Sequence, residues 1–388
     1  MTAIRFGVLL VMISGFTLAL STLPATRESA FIIPEYRATG QGNDPVLEAA
    51  FISESLTTEV HSATAVELNN GDIRVFWYGG TREGSKDSSI YSRVLNRVDN
   101  SWSDIQEVMT RQLAIRDTRR YIRKLGNPVA VVKGNELWLF FVSASPGGWA
   151  TSSVNLSVST DSGYTWGPVR RLISSPFLNI STLVRDAPLA VGNGDVILPA
   201  YHELIGKFAE LLQLDSAGNV TRKYRISHGR EAIQPVLLPV DPNNAIVFMR
   251  NTSAAHPGKI WFSRSEDSLS DWAGLDPLTL PNPDAAVTVV QLHAEDELLM
   301  VFNNHARERD DISMAYRSDS GAAWQLIHQF ETRAGSEKEH NPFSYPFLLH
   351  TRDGDFHLFY TWKKQHIKHV YFNRAALLEM RAAAGPGS

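Results

Sequence analysis

The 388-residue sequence predicts an all-β fold, a six-bladed β-propeller. Two observations predict it: a hairpin-like unit occurs six times, and a turn that ends in tryptophan recurs with a period of about 53 residues. No linker or low-complexity stretch divides the repeats. We therefore expect a single propeller domain over residues 55–373.

Each hairpin unit consists of two apolar strands joined by a short polar turn. In the first unit, Ala65–Leu68 and Ile73–Tyr78 flank the turn Asn-Asn-Gly-Asp. The first strands of the six units begin near residues 63, 128, 188, 235, 287 and 346. Spacings of 47 to 65 residues are typical of propeller blades.

The tryptophan-ending turn is clearest at residues 159–166, Ser-Thr-Asp-Ser-Gly-Tyr-Thr-Trp. Asp161 suits a tight turn through side-chain to backbone hydrogen bonds, and Gly163 suits it through a positive φ. We expect Trp166 to lie in the following strand as an apolar anchor. Degenerate copies end at Trp102, Trp272 and Trp324, so the steps along the chain are 64, 106 and 52 residues.

Three segments fall outside the predicted propeller. In residues 1–28, Arg5 precedes an uncharged run of 15 residues, which suits a signal peptide or an N-terminal anchor. Residues 29–54 are an N-terminal extension, and 374–388 are a C-terminal tail with a short helix over 374–381. We expect export to the periplasm or the medium, and cleavage and membrane anchoring both stay open.

Composition excludes several classes of function. A net charge of −4 and a pI near 6.3 argue against a nucleic-acid partner. The absence of cysteine excludes disulfides and thiolate metal sites, and His366 and His369 would face opposite sides of a strand, so we expect no metal and no cofactor. The basic stretch Arg111–Lys124 is either a solvated loop or a source of arginines over a pocket for an anionic ligand.

The propeller itself predicts where chemistry would occur. Loops that enter the innermost strands gather at one end of the central channel, so polar residues there are candidates for lining a pocket. These candidates are His61, the segment from Arg82 to Asp87, Asn127, Arg185, Asp186, Glu231, Gln234, Arg250, Arg307, Arg309 and the segment from His340 to Tyr345.

Several segments resemble the sialidase superfamily. Residues 159–166 match the pattern called an Asp box, and residues 76–87, 231–251, 302–309 and 341–345 are similar, in this order, to stretches that carry functional residues in that family. The resemblance covers about residues 58–372. At the place where the family has an arginine that opens its first inner strand, this chain has His61.

The resemblance implies a retaining glycosidase for terminal acidic sugars. It assigns Tyr345 as the nucleophile, Glu231 as its base and Asp87 as the acid/base, with Arg250 and either Arg309 or Arg307 binding the substrate carboxylate. His61, Arg82, Asn127, Arg185 and Gln234 complete the predicted substrate-binding set. The implied partner is an acidic glycan or glycoconjugate.

Two other functions stay open. A glycan-binding propeller without catalysis would fit the histidine at position 61 and the position of Glu231, three residues before Gln234 rather than two. A lyase that uses His61 or His340 as its base would also fit the same scaffold.

Overall fold

The computed structural model describes a propeller from which short segments are left out. The described residues are 30–33, 36, 44–54, 56–175, 179–204, 206–229, 231–253, 258–266, 268–292, 297–319, 321–333 and 342–385. The predicted N-terminal segment 1–28, His340 and Asn341 lie outside them.

Six antiparallel sheets form the six blades, which confirms the predicted fold class. Strand β1 (Leu47–Phe51) precedes them. Blade 1 contains β2 (Glu59–Glu67), β3 (Ile73–Gly80), β4 (Ser89–Asn96) and β5 (Ser101–Trp102), with β6 (Gln106–Met109) pairing along β4. Blade 2 contains β7 (Lys124–Lys133), β8 (Glu136–Ala144), β9 (Ser153–Ser159) and β10 (Arg170–Arg171). Blade 3 contains β11 (Thr182–Val184), β12 (Leu189–Ala190), β13 (Val196–His202), β14 (Phe208–Leu214) and β15 (Val220–Arg225).

The second half of the chain repeats the same plan. Blade 4 contains β16 (Ala232–Pro239), β17 (Ala245–Asn251), β18 (Gly258–Arg264) and β19 (Asp276–Asn282). Blade 5 contains β20 (Thr288–Gln291), β21 (Leu298–Phe302), β22 (Asp311–Arg317) and β23 (Gln325–Thr332). Blade 6 contains β24 (Phe343–His350), β25 (Phe356–Trp362) and β26 (His366–Phe372).

Strand β1 completes blade 6 from the other end of the chain. All five of its residues pair with β26, from Leu47 opposite Phe372 to Phe51 opposite Lys368. Residues 47–51, which we predicted as part of an N-terminal extension, therefore form the outer strand of the last blade. Sequence pattern misses this strand because β1 has no apolar alternation, and all five of its residues are exposed.

In the part of the chain that the structure describes, two α-helices lie outside the blades. Helix α1 (Arg111–Thr118) occupies the basic stretch that we considered as a loop, and Thr110 caps it by accepting a hydrogen bond from the Leu113 amide. Helix α2 (Arg374–Ala383) contains the predicted C-terminal helix and buries Ala376, Leu377 and Met380. Neither of these described helices has the length and apolar character needed to span a membrane.

The hydrophobic core is divided among the blade interfaces. Within the described residues, buried apolar side chains form six clusters, and each one lies between two adjacent blades. The cluster between blades 1 and 2, for example, joins Phe76 of β3 to Leu139 of β8. This arrangement leaves the innermost strands free to carry polar side chains toward the axis.

The tryptophan-ending turns occupy one equivalent position, between the third and fourth strands of blades 1, 2, 4 and 5. Asp161 accepts hydrogen bonds from the amide and hydroxyl of Thr165, and Gly163 has a φ of 93°. Trp166 packs edge-on against Phe76 of the preceding blade. Trp166 lies before β10 rather than within it, because the hydrogen bonds that Thr165 donates to Asp161 extend the turn.

Candidate functional site

Among the described residues, four of the six blades have a bulge in their first strand. The pairing register shifts after His61, Gly126, Ile233 and Ser344. Within these bulges Ser62, Asn127, Gln234 and Tyr345 adopt left-handed backbone conformations, with φ between 45° and 55°. Because a bulge redirects side chains and interrupts pairing, each first strand presents polar groups at the same level of the propeller. Three predicted site residues occupy bulges, and His61 lies beside the fourth.

Tyr345 lies at the meeting point of opposite blades. The ring of His61 contacts it edge-on, with ring centroids 4.6 Å apart and an interplanar angle of 77°. The Arg185 guanidinium lies 5.6 Å from the Tyr345 ring centroid, and its Nη2 donates to the Pro346 carbonyl. Arg185 belongs to blade 3 and Tyr345 to blade 6, so this contact crosses the propeller axis.

Arg185 is held in an almost dry environment. It is 1% exposed, and its Nε and Nη1 atoms have no hydrogen-bond partner among the described residues. The nearest carboxylate is Asp186, whose Oδ2 lies 3.6 Å from Nη1. Burial lowers the pKa of Arg185 and raises that of Asp186. In each case the opposite charge of the other residue is the largest effect that counters burial and favours the charged form.

His61 is a buried, neutral imidazole. Burial lowers its pKa to about 4; the carboxylate of Glu83 opposes this shift, and the positive charges of Lys364, Arg309 and Arg185 add to it. Its Nδ1 atom has no hydrogen-bond partner in the described part of the chain. Where a family arginine would contribute a fixed positive charge, this site therefore has an uncharged group at neutral pH.

Two arginines meet at Asp284, one at its carboxylate and one at its backbone carbonyl. The Asp284 carboxylate accepts a 2.6 Å hydrogen bond from Arg250 Nε, and the Asp284 carbonyl accepts a 2.6 Å bond from Arg309 Nη2. Burial opposes the charge of Arg250, but Tyr345 and Asp284 outweigh it and raise the pKa of Arg250. Both arginines remain cationic and interact electrostatically with Tyr345.

Three uncharged side chains form a hydrogen-bond network beside the arginines. The Tyr201 hydroxyl accepts 3.3 Å hydrogen bonds from the side-chain amides of Asn127 and Gln234. The Gln234 carbonyl oxygen in turn accepts a 3.4 Å bond from Arg250 Nη1. Six of the predicted residues are thus linked, directly or through a shared partner, around Tyr345; they are His61, Asn127, Arg185, Gln234, Arg250 and Arg309.

The other predicted residues have different surroundings. Asp87 is exposed, and hydrogen bonds from Ser85 and Thr81 lower its pKa. Arg82 is exposed in the same β3–β4 loop, and Arg307 is exposed before β22. Glu231 precedes β16, where its carbonyl accepts hydrogen bonds from Thr252. The roles assigned to these four residues, like those of the other predicted site residues, stay predictions.

Sequence reasoning missed Tyr201, Glu203, Asp284 and Lys364. Glu203 follows β13 directly, and burial raises the pKa of its carboxyl group, although Arg250, Lys207 and Lys124 oppose that rise. The signal that could have found Tyr201 and Glu203 is position, because they lie at the end of β13 as Arg250 lies at the end of β17. In the described chain, no three histidine, aspartate or glutamate side chains come together as a metal site requires.

Comparison with known proteins agrees with this architecture. The model of the BNR repeat-like domain family matches residues 71–358, and no curated protein sequence matches the chain. A Dyadobacter fermentans protein of unknown function is similar in structure, with a TM-score of 0.65, 11% identity, and coverage of 84% of this chain and 98% of that one.

Two sialidases share the same fold. The NanB sialidase of Streptococcus pneumoniae has a TM-score of 0.62 and 10% identity, over 92% of this chain and 72% of that one. The Trypanosoma rangeli sialidase, captured with 2,3-difluorosialic acid as a covalent intermediate, has a TM-score of 0.63 and 14% identity, over 92% of this chain and 58% of that one. At these identities the likeness concerns the fold alone. The chain belongs to the BNR repeat-like domain family.

Proposed function

We propose that this protein is a glycoside hydrolase that removes terminal acidic sugars, sialic acid or a related compound, by a retaining mechanism with Tyr345 as the nucleophile. The observation that carries the proposal is the cluster of Arg185, Arg250 and Arg309 around a single tyrosine. A carboxylated sugar needs cations for its carboxylate, and a neutral nucleophile avoids repulsion from that carboxylate.

In the first step of this mechanism, the Tyr345 oxygen forms a bond to the anomeric carbon while the glycosidic C–O bond breaks. The leaving oxygen takes a proton from a carboxylic acid, and the Tyr345 proton passes to a base. Water then attacks the anomeric carbon and gives a proton to the carboxylate that acted as the acid, while the bond to Tyr345 breaks and its oxygen takes back the proton held by the base. Arg250 and Arg309 bind the substrate carboxylate throughout, because Asp284 orients both guanidinium groups. The covalent intermediate of the Trypanosoma rangeli sialidase supports a retaining course for this chain.

We assign the acid to Glu203 in preference to Asp87. A general acid must be protonated near the working pH, and burial raises the pKa of Glu203. The pKa of the exposed Asp87 is instead lowered by hydrogen bonds. Glu231 remains our predicted base for Tyr345, and Glu231→Gln tests that role.

A lyase is the second candidate, because neutral His61 contacts Tyr345 directly. In that reaction a base takes a proton from the carbon next to the anomeric carbon. The glycosidic C–O bond then breaks, the leaving oxygen takes a proton from an acid, and a carbon–carbon double bond forms in the product. A neutral imidazole with an unpartnered Nδ1 atom is suited to accept that proton.

Glycan binding without turnover is the third candidate. Gln234 links Tyr201 to Arg250 at the centre of the site, and its amide cannot act as a base. A propeller that uses the arginines only for recognition would retain every contact described above.

One assay separates the three candidates. Wild-type and Tyr345→Phe proteins are incubated with a fluorogenic panel of α-sialosides, other nonulosonates and uronides, and ultraviolet absorbance is recorded in parallel. Release of the fluorophore without an unsaturated product, abolished by Tyr345→Phe, is the expected result. An ultraviolet-absorbing product would identify a lyase, and binding of an acidic glycan without any turnover would identify a binding propeller.

We also propose that the protein is exported, on the basis of the uncharged run after Arg5. Fractionation of cells expressing the full chain with a C-terminal tag tests this proposal. The tagged protein is expected in the periplasm, the medium or the membrane, and its retention in the cytosol would contradict export.

A further inference from the structure

A basic cavity opens at the rim of the propeller between blades 1 and 2, apart from the residues around Tyr345, which we call the central site. It has a volume of about 320 Å³ and is lined by Arg82, Glu83, Gly84, Arg123, Lys124 and Gly148. We call it the rim pocket. Its walls come from the β3–β4 loop, the start of β7 and the turn after β8, so it is formed by segments far apart in the chain.

The rim pocket carries an excess of positive charge. Three of its lining side chains are cations and one is a carboxylate. That carboxylate, Glu83, forms a 3.3 Å ion pair with Lys364 and lies 4.0 Å from His61. Lys364 therefore neutralises part of the negative charge of Glu83 where Glu83 faces the central site. Arg82 and Arg123 are both exposed, and their guanidinium groups suit carboxylate, sulfate or phosphate oxygens.

The local backbone holds Lys124 at the inner wall. Gly84 has a φ of 79°, and a Cβ atom there would lie 3.1 Å from Lys124 Nζ, so the glycine allows the ammonium group to pack against the loop. The Lys124 side chain is almost buried. Burial lowers the pKa of Lys124, and the negative charges of Glu83 and Glu203 oppose that effect.

Lys124 therefore connects the rim pocket to the central site. Glu203 interacts with both Lys124 and Arg250, and Glu83 interacts with both Lys124 and His61. A ligand that extends from the arginine cluster past Glu203 would reach the rim pocket next. The leaving part of a glycan, on the far side of the bond that is cleaved, would extend in this direction.

We infer that the rim pocket is a subsite for a second anionic group, carried by the residue next to the terminal acidic sugar. The inference rests on the proposed function and narrows its substrate class to glycans with a carboxylate, sulfate or phosphate on both sides of the bond. Arg82 and Arg123 bind the second anion from the solvent side, and Lys124 binds it from the inner wall.

Calorimetry with the Tyr345→Phe protein tests the subsite without turnover. Its affinity for α2,8-linked disialic acid, which has an acidic neighbour, is compared with that for 3′-sialyllactose, which has a neutral one. We expect about fivefold tighter binding of disialic acid at low salt. Adding Arg123→Ala should abolish the preference, whereas Arg116→Ala, an exposed arginine of α1 outside the pocket, should leave it intact. Equal affinities for the two ligands, or equal effects of the two alanine variants, would overturn the inference.

A second measurement separates failure of the subsite from failure of the proposed function. Inorganic phosphate is titrated into wild-type protein with ¹⁵N-labelled arginine, and the side-chain NMR signals are assigned with Arg82→Ala and Arg123→Ala. If neither oligosaccharide binds, the sugar assigned to the central site is wrong, and the phosphate titration alone tests whether the rim pocket binds an anion. Shifts at Arg82 and Arg123 that exceed the shift at Arg116 then support an anion subsite, and their absence refutes it.

Discussion

At the scale of single residues, His61 couples the site to pH. Its pKa is about 4 in the folded chain, against 6.5 for an ordinary histidine, because burial disfavours the charged imidazolium. Between these values the unfolded chain binds more protons than the folded chain, so stability falls as the pH falls through this window. The loss at pH 4 is roughly 3 kcal/mol from this residue.

Urea unfolding at pH 7.5 and pH 4.5 tests this prediction. We expect His61→Asn to lose less of its free energy of unfolding between the two pH values than the wild type does. Identical losses would mean that other groups, such as the buried His357 and His369, account for the acid sensitivity.

Glu203 is the second residue whose environment predicts a measurable effect. If it is the general acid, Glu203→Gln lowers kcat by roughly 10²-fold or more, with little change in KM. The variant should also lose the limb of the pH–rate profile that reports this carboxyl group. Asp87→Asn is the matched comparison, and a larger loss there would return the acid role to Asp87.

At the scale of secondary-structure elements, the bulge in β2 strains its backbone. Ser62 has a φ of 54°, its side chain is fully buried, and its Oγ atom has no partner among the described residues. Removing this hydroxyl therefore costs little, whereas a β-branched residue is disfavoured at positive φ. Ser62→Gly should be close to neutral, and Ser62→Val should be less stable than Ser62→Gly by about 2 kcal/mol.

Chemical denaturation of the two Ser62 variants gives that difference directly. Activity provides a second readout, because the same bulge orients His61 beside Tyr345. Equal stability of the valine and glycine variants would show that the bulge relaxes without strain.

At the scale of the whole molecule, β1 closes the ring by pairing the two ends of the chain. A protein that begins at residue 44 retains this strand, and one that begins at residue 53 lacks it. Loss of the strand removes backbone hydrogen bonds worth about 2 kcal/mol in total and uncovers the edge of β26. We expect the shorter protein to melt at a lower temperature and to associate, as measured by calorimetry and light scattering. Equal melting temperatures would show that β1 contributes nothing to closure.

Local patterns were enough to predict the blades. Alternating apolar residues and turn residues such as Asp161 and Gly163 act within a few positions, so strands and turns are visible in the sequence. The same is true of α2, whose buried face repeats at helical spacing. The order of the family-like segments also indicated Tyr345, Arg250 and Arg309, since Arg250 ends a recognisable strand, Arg309 follows one and Tyr345 lies near the start of one.

The sequence by itself determined the number of blades, the position of their turns and most of the polar residues that reach the axis. Only the tertiary structure decided which of them meet. The contact of Arg185 with Tyr345 crosses the axis between blades 3 and 6, and Asp284 joins Arg250 to Arg309. Such contacts join residues far apart in sequence, and the bulges that aim them use left-handed asparagine, glutamine and tyrosine residues. No local pattern records either feature, because both are imposed by closure of the ring.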